Sequence, residues 1–283
     1  MSDLSRVVVL GARGFVAGAL VRFLAAEGQA CRAISSQEID LTQASAVSEL
    51  AAIFQPADSL VVCSCLTPER GRDRTTFLKN VAMIDHLCSA LAVSPCAHVV
   101  YISSDAVYNP ASDPLTEHSC CETGDFYGLA HVVREKMLVA ACRPAILRPS
   151  AIYGASDTHS AYGPNRFVRS ALATGKISLF GDGEEQRDHI YIGDVVRIIH
   201  HCLQQRTEGI LNVVTGASPS FREVAATVAE SLSCKITIES QPRQVPIVHR
   251  RFNNAALSRT FPSFGPTSLS QGIREMLAEN ANS

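Results

Sequence analysis

Short apolar runs, rich in β-branched residues, recur at Val7–Leu10, Ser59–Val62, His98–Ile102 and Pro144–Leu147. Each is too short for a helix and apolar throughout, the pattern of a strand covered on both faces of a parallel sheet. Between them lie helical patterns over Val16–Ala26, Ala44–Phe54, Thr75–Leu91 and Tyr127–Ala141. Parallel strands need crossover connections, and helices supply them with a right-handed sense. The alternation therefore predicts an α/β chain built on a doubly wound parallel sheet. After about Tyr153 the texture changes, with Gly, Pro, Ser and Asn clustered through Gly154–Asn165 and at Gly181–Gly183. That loop-rich half predicts a smaller C-terminal α/β lobe, and the Asn280–Ser283 tail is expected to fray.

Composition narrows the partners. The 283 residues suit one large α/β unit with a smaller lobe, and 46% hydrophobic against 18% charged residues means a sizeable core. A net charge of −2 gives no electrostatic reason to expect nucleic acid or an anionic membrane. Ten cysteines fall as Cys63/Cys65, Cys120/Cys121 and singles, never as CxxC, so neither a disulfide scaffold nor a zinc ribbon is expected, and no metal. No basic leader precedes the first apolar run, and Arg13 and Arg22 interrupt the longest uncharged stretch. A reduced, cytoplasmic chain without a membrane span is the expectation.

Val7-Val-Val-Leu-Gly11-Ala-Arg13-Gly14-Phe15-Val16-Ala17-Gly18 reads as a strand, a glycine turn and a helix start. Glycines let a backbone approach a pyrophosphate closely, and the helix N-terminus offers N–H donors and positive potential. The spacing is GxxGxx(G/A), with Ala17 in the third small position. In this context it predicts dinucleotide binding through Gly11, Arg13, Gly14, Phe15 and Val16.

With these motifs the chain resembles the extended short-chain dehydrogenase/reductase family, the NAD(P)-dependent nucleotide-sugar epimerases, dehydratases and reductases. The resemblance runs through almost the whole sequence. Asp40-Leu41 is similar to the family's adenine-binding Asp segment. Ser59–Cys65 resembles its fourth strand under the cofactor, with Cys63, Ser64 and Cys65 at the cofactor positions. Asn80-Val81 and Tyr101-Ile-Ser103-Ser104-Asp105-Ala-Val107-Tyr108 match its helix and serine-strand signatures. Tyr127-Gly128 opens the catalytic helix, Arg148-Pro149 and Tyr153-Gly154 resemble the sixth-strand signature, and Gly181-Asp-Gly183 with Arg187-Asp188 resembles the substrate loop.

The resemblance implies that Tyr127 exchanges a proton at the substrate carbinol and Ser104 orients the oxygen. A Lys four residues beyond the Tyr normally binds the nicotinamide ribose and lowers the phenol's pKa. Here that position is His131. An imidazole can donate to ribose hydroxyls, and if protonated it would tune the Tyr, but its unperturbed pKa of about 6.5 leaves the cation a minority at pH 7. Lys136 is nine residues past Tyr127, about 180° around the helix, and cannot substitute. Asp105 lacks the following Glu of the family's 4,6-dehydratases, which disfavours dehydration.

The second strand, Cys31–Ile34, ends in Ser35-Ser36 with no carboxylate to select NAD. With Arg13 in the glycine turn this favours NADP, with NAD second through nearby Glu38. Asn165, Arg187 and Arg251 (or Arg250) resemble the family's diphosphate-binding residues, because a guanidinium fork suits two phosphate oxygens. The resulting expectation is a dinucleotide-binding domain of Rossmann type over 1–153, with 188–206 packing back onto it, and a mainly substrate-binding lobe over 154–283. The function implied is 4-keto reduction or epimerisation of a nucleotide sugar by a homodimer. The alternative is a non-catalytic NADP-binding regulatory or assembly protein of the same fold.

Overall fold

A computed structural model describes residues 4–157 and 162–281. The chain forms two compact units, one from Met1–Asn109, Cys120–Pro149 and Val196–Asn212, the other from Pro110–Ser119, Ser150–Val195 and Val213–Ser283.

The first unit carries strands β1 (Val7–Leu10), β2 (Cys31–Ile34), β3 (Ser59–Val62), β4 (His98–Ile102), β5 (Ala145–Pro149) and β9 (Gly209–Val213). They form one sheet in the order β2-β1-β3-β4-β5-β9, and the pairings from β2 through β5 are all parallel. β1, β3, β4 and β5 are buried at every position, as two-faced cover requires. Crossovers are α1 (Phe15–Ala26), α2 (Ala46–Ile53), α3 (Arg74–Val93) and α4 (Phe126–Ala141). Val8, Leu10, Leu60, Val62, Leu50, Ile84, Leu87 and Leu138 share one hydrophobic cluster that holds helices to sheet. The strands expected as fourth and sixth are the third and fifth here, because the chain passes from β2 through α2 straight into β3.

The second unit contains β6 (Ala151–Tyr153), parallel to β8 (His189–Tyr191), and β7 (Lys176–Phe180), parallel to β10 (Thr237–Gln241). Its helices are α5 (Pro164–Thr174), α7 (Phe221–Ser231), α8 (Ala255–Thr260) and α9 (Leu269–Ala281), while α6 (Ile192–Gln205) begins here and continues in the first unit. Ser220 and Glu223 form a capping box that starts α7. The last two tail residues, and part of the loop-rich 154–165 segment, lie outside the described residues.

Candidate active site

The glycine turn follows from a steric requirement. Gly11 sits at φ +89°, and a Cβ there would lie 2.8 Å from the Ser64 amide nitrogen, so the close approach of the β1 and β3 ends tolerates glycine alone. Gly14 caps α1 with no side-chain hydrogen bond, and the helix's first turn contains no acidic residue. Phe15 and Val16, half-buried, open that turn, and Arg13 beside it is exposed. A glycine-lined helix start without a competing carboxylate fits the pyrophosphate of a dinucleotide.

Beyond β2, Ser35 is half-buried and Ser36 exposed. Glu38 is ion-paired with Arg32. Asp40 accepts from the Thr42 amide and hydroxyl at 2.9 and 2.8 Å, bonds that hold its carboxyl below the usual range. Leu41 is buried, and its carbonyl lies 2.8 Å from His86 Nδ1.

Cys63, Ser64 and Cys65 follow β3 rather than extend it, since the strand ends at Val62. Burial pushes the Cys63 thiol up to about 12 and raises that of Cys65, so both remain protonated. Asn80 on α3 is buried with its amide spent on this loop. Its Oδ1 accepts from the Leu66 amide at 2.9 Å and from Cys65 Sγ at 3.4 Å, while Nδ2 donates to the Leu66 carbonyl at 3.0 Å. Asn80 therefore pins the loop that follows β3.

Ser104, just past β4, accepts from the Ala106 amide at 3.1 Å and caps a short 3-10 turn that begins at Asp105. The buried Asp105 also lies 3.5 Å from the Ser104 hydroxyl. Asp125 caps α4 through the Gly128 amide at 2.8 Å. A Cβ on Gly128 would collide with the Ala106 carbonyl and the Thr123 hydroxyl, so glycine lets the helix start press against the turn. Tyr127 is thereby brought beside Ser104. Burial raises the Tyr127 phenol above its ordinary pKa, Cys65, Tyr101 and Asp105 add to the rise, and Ser104 partly opposes it.

His131 lies edge-on to Tyr127, ring centroids 4.7 Å apart. It is only 1% exposed, with Nδ1 2.6 Å from Tyr101 Oη and Nε2 3.6 Å from Cys65 Sγ. Burial, reinforced by the charge of Arg134, pulls its pKa down to about 3. Beside Tyr127, therefore, stands a neutral imidazole. The cation of this helix face is Arg134, 1% exposed, which the sequence analysis passed over. Its Nε donates to Tyr101 Oη at 2.9 Å, Nη1 to the Asn80 carbonyl at 2.8 Å and Nη2 to the Ser64 carbonyl at 2.6 Å.

In the second unit the three substrate candidates differ. Asn165 is 5% exposed and its amide is engaged, accepting from the Gly154 amide at 3.1 Å and donating to Asp157. Arg251 is ion-paired with Asp113 through two nitrogens, so its charge already has a partner. Arg187 is half-buried on a segment anchored by Asp188, whose buried carboxylate accepts from Ser150 Oγ at 2.7 Å, Thr215 Oγ1 at 2.8 Å and the Gly216 amide at 2.8 Å. Among the described residues no three His, Cys, Asp or Glu side chains gather as a metal site, and no helix is long and apolar enough to cross a membrane.

The fold recurs among solved structures of low sequence identity. MoeE5 in complex with UDP-glucuronic acid and NAD is 21% identical, with TM-score 0.84 over 98% of this chain and 99% of that one. UDP-glucose 4-epimerase of Thermus thermophilus, in complex with NAD, is 19% identical with TM-score 0.82 over 98% and 99%. RMD from Pseudomonas aeruginosa, complexed with NADPH, is 21% identical with TM-score 0.83 over 99% and 100%. The sequence model of the NAD dependent epimerase/dehydratase family matches residues 7–214, from β1 to the end of the six-stranded sheet. The glycine turn, the Ser104–Tyr127 pair and that match together make this chain a member of the NAD-dependent epimerase/dehydratase family.

Proposed function

We propose that the protein is an NAD(P)-linked oxidoreductase or epimerase of a nucleotide-diphosphate sugar, working by 4-keto reduction or by epimerisation through a transient ketone. The observation that carries this reading is the placing of Tyr127 beside Ser104 in the same unit as the carboxylate-free glycine turn. Tyr127 passes the proton at the carbinol oxygen, and Ser104 orients that oxygen. The nicotinamide, when bound, supplies or accepts the hydride. His131 reaches a ribose hydroxyl by exchanging its Cys65 contact, since an oxygen is a better acceptor than a thiol sulfur. The bound nucleotide sugars of relatives such as MoeE5 support the substrate class.

NADP is the preferred cofactor and NAD the second choice, because Arg13 is exposed at the turn while Arg32 occupies Glu38. The cofactor domain is 1–153 with 188–206, and 154–283 is mainly the substrate lobe. There Arg187 is the leading diphosphate ligand, and Arg251 contributes by releasing Asp113. Asp105 meets the sugar, and Asn165 shapes the loop at Gly154. The active form is a cytoplasmic homodimer paired through α3 and α4.

One observation favours a non-catalytic NADP-binding regulator: the elevated Tyr127 phenol, with its lysine partner replaced by a neutral imidazole. Mass spectrometry of ligands co-purified with the protein, followed by NADPH oxidation assays with UDP-, GDP- and dTDP-linked 4-keto sugars, separates the two. Turnover with any of them supports the enzyme. Tight NADPH binding without turnover or exchange across the panel supports the regulator.

A further inference from the structure

One line of side chains runs beneath Tyr127. Its members are Arg134 and His131 on α4, Tyr101 on β4, Cys65 after β3 and Asn80 on α3. Its polarity is determined from both ends. At one end a guanidinium only donates, so the Arg134 Nε–H occupies Tyr101 Oη at 2.9 Å. The other described partner of the fully buried Tyr101 Oη is His131 Nδ1 at 2.6 Å, so the phenol proton finds its acceptor in that nitrogen. At the other end the Asn80 amide cannot flip, because Oδ1 faces the Leu66 N–H and Nδ2 faces the Leu66 carbonyl. Oδ1 is therefore the acceptor for the Cys65 thiol at 3.4 Å. With that oxygen and, at 3.7 Å, the Leu66 carbonyl as acceptors for its proton, the Cys65 sulfur is left to accept from His131 Nε2 at 3.6 Å. Both ends require the same imidazole: Nδ1 an acceptor, Nε2 carrying the hydrogen.

We propose that Arg134, acting through Tyr101, is a positioning residue that holds His131 as a neutral Nε2–H tautomer at the family's lysine position. The ordinary lysine is a donor and a permanent cation at once; here the two duties are divided. His131 keeps a donor of defined direction beside Tyr127, and Arg134 holds the positive charge one turn further along the same helix. A second proton on His131 would point Nδ1–H at the Tyr101 proton and place a cation against Arg134, so the arrangement opposes protonation. Every other group facing the imidazole, namely Tyr127, Tyr101 and Cys65, is held protonated by burial. This inference rests on the reading of Tyr127 as the proton-exchanging residue, but the relay itself exists in the unliganded chain.

The test is long-range 1H–15N correlation of the histidine rings in the intact, unliganded protein, with His131 assigned by its loss in His131→Gln. The expected spectrum has a protonated Nε2 and a bare Nδ1, unchanged from about pH 5 to 8. Tyr101→Phe keeps the ring and the two Arg134–carbonyl bonds, so it folds while the bridge is gone. It should collapse the single tautomer into an exchanging mixture, as should Arg134→Met, whereas Arg134→Lys should restore it. A protonated Nδ1 in the wild type, a cationic ring at pH 6, or an unaltered Nε2–H signal in Tyr101→Phe would each overturn the proposal. Because no substrate or cofactor is present, these outcomes are independent of whether the protein turns over a nucleotide sugar.

Discussion

Arg148 closes its guanidinium on the Glu135 carboxylate, Nε to Oε1 at 2.9 Å and Nη2 to Oε2 at 2.6 Å, with the two side chains 3% and 7% exposed. Ser103 donates to the same carboxylate at 2.5 Å, and Arg148 Nη1 donates to Tyr108 Oη, whose own proton goes to Asn212. The pair ties α4 to β5. Arg148→Met leaves a buried carboxylate without its counter-ion and should cost about 3–5 kcal/mol in urea denaturation. Arg148→Met with Glu135→Leu removes both charges and should recover most of that loss. Equal destabilisation in single and double variants would mean that packing, not the stranded charge, sets the cost.

Arg13 lies exposed beside a helix start that has no acidic neighbour in its first turn. If it meets the 2′-phosphate, Arg13→Ala should weaken NADPH binding by about 1.5–3 kcal/mol, the scale of one charge-assisted contact, and leave NADH nearly unchanged. Fluorescence titration with both cofactors measures the gap. Equal losses for the two would assign Arg13 to the shared pyrophosphate instead.

Much of this architecture is local in the sequence and was readable there. The buried strands announce themselves as continuous apolar runs, and Gly11 as the only residue type that fits φ +89° against Ser64. What escaped depends on long-range partners. The pairing of Arg251 with Asp113, 138 residues earlier in the chain, leaves no mark in the local sequence. Nor do the bonds of the Asn165 amide to Gly154 and Asp157. Arg134 was within reach: seven residues past Tyr127 is about 700° of rotation, roughly 20° short of two full turns. The arithmetic that excludes Lys136 selects Arg134. Its burial was the missing information, since an arginine is ordinarily expected in solvent.

The outward faces of α3 and α4 leave Leu78, Phe126, Leu129 and Val139 exposed, with Val139 at 57%. Phe126 packs on Phe77 at 5.5 Å, joining the starts of the two adjoining helices. If two copies pair there, light scattering should give about twice the 30.4 kDa chain mass. Leu78→Glu with Val139→Arg should then yield monomer with the fold intact by circular dichroism. A monomeric wild type at micromolar concentration rules out this interface.

His131 and His189 are both buried and pulled down to about 3, by desolvation and then by Arg134 and Arg187 respectively. In the unfolded chain each titrates near 6.5, so between those values the unfolded state binds more protons. Their contribution to stability is therefore complete above about pH 6.5 and is lost as pH falls from there toward 3. The loss approaches about 1.4 kcal/mol per pH unit for each histidine. Urea denaturation at pH 7 and pH 5 should show this drop, and His131→Gln should make it smaller whatever it does to stability at pH 7. An unchanged slope would show that His131 is protonated or hydrated in the folded state.

Tyr127 is the group on which turnover should depend most. Tyr127→Phe removes the hydroxyl beside Ser104, and kcat for ketone reduction should fall by about 10²–10⁴, with cofactor affinity nearly intact. The pH profile tests its neighbour. In the reductive direction the phenol acts as an acid, and burial raises its pKa, so it remains protonated through the neutral range. His131, pulled down to about 3, does not titrate there either. The wild-type reduction rate should therefore stay flat from about pH 6 to 8. Oxidation needs the phenolate and should rise with pH across the same interval. His131→Lys adds a cation on a flexible stem; a cation stabilises the phenolate, lowers the Tyr127 pKa and so speeds oxidation at a given pH. It also brings the alkaline decline of reduction to lower pH. A wild-type reduction rate that falls through pH 6.5 would mean that protonated His131 takes part, contrary to the neutral imidazole that Tyr101 and Arg134 impose.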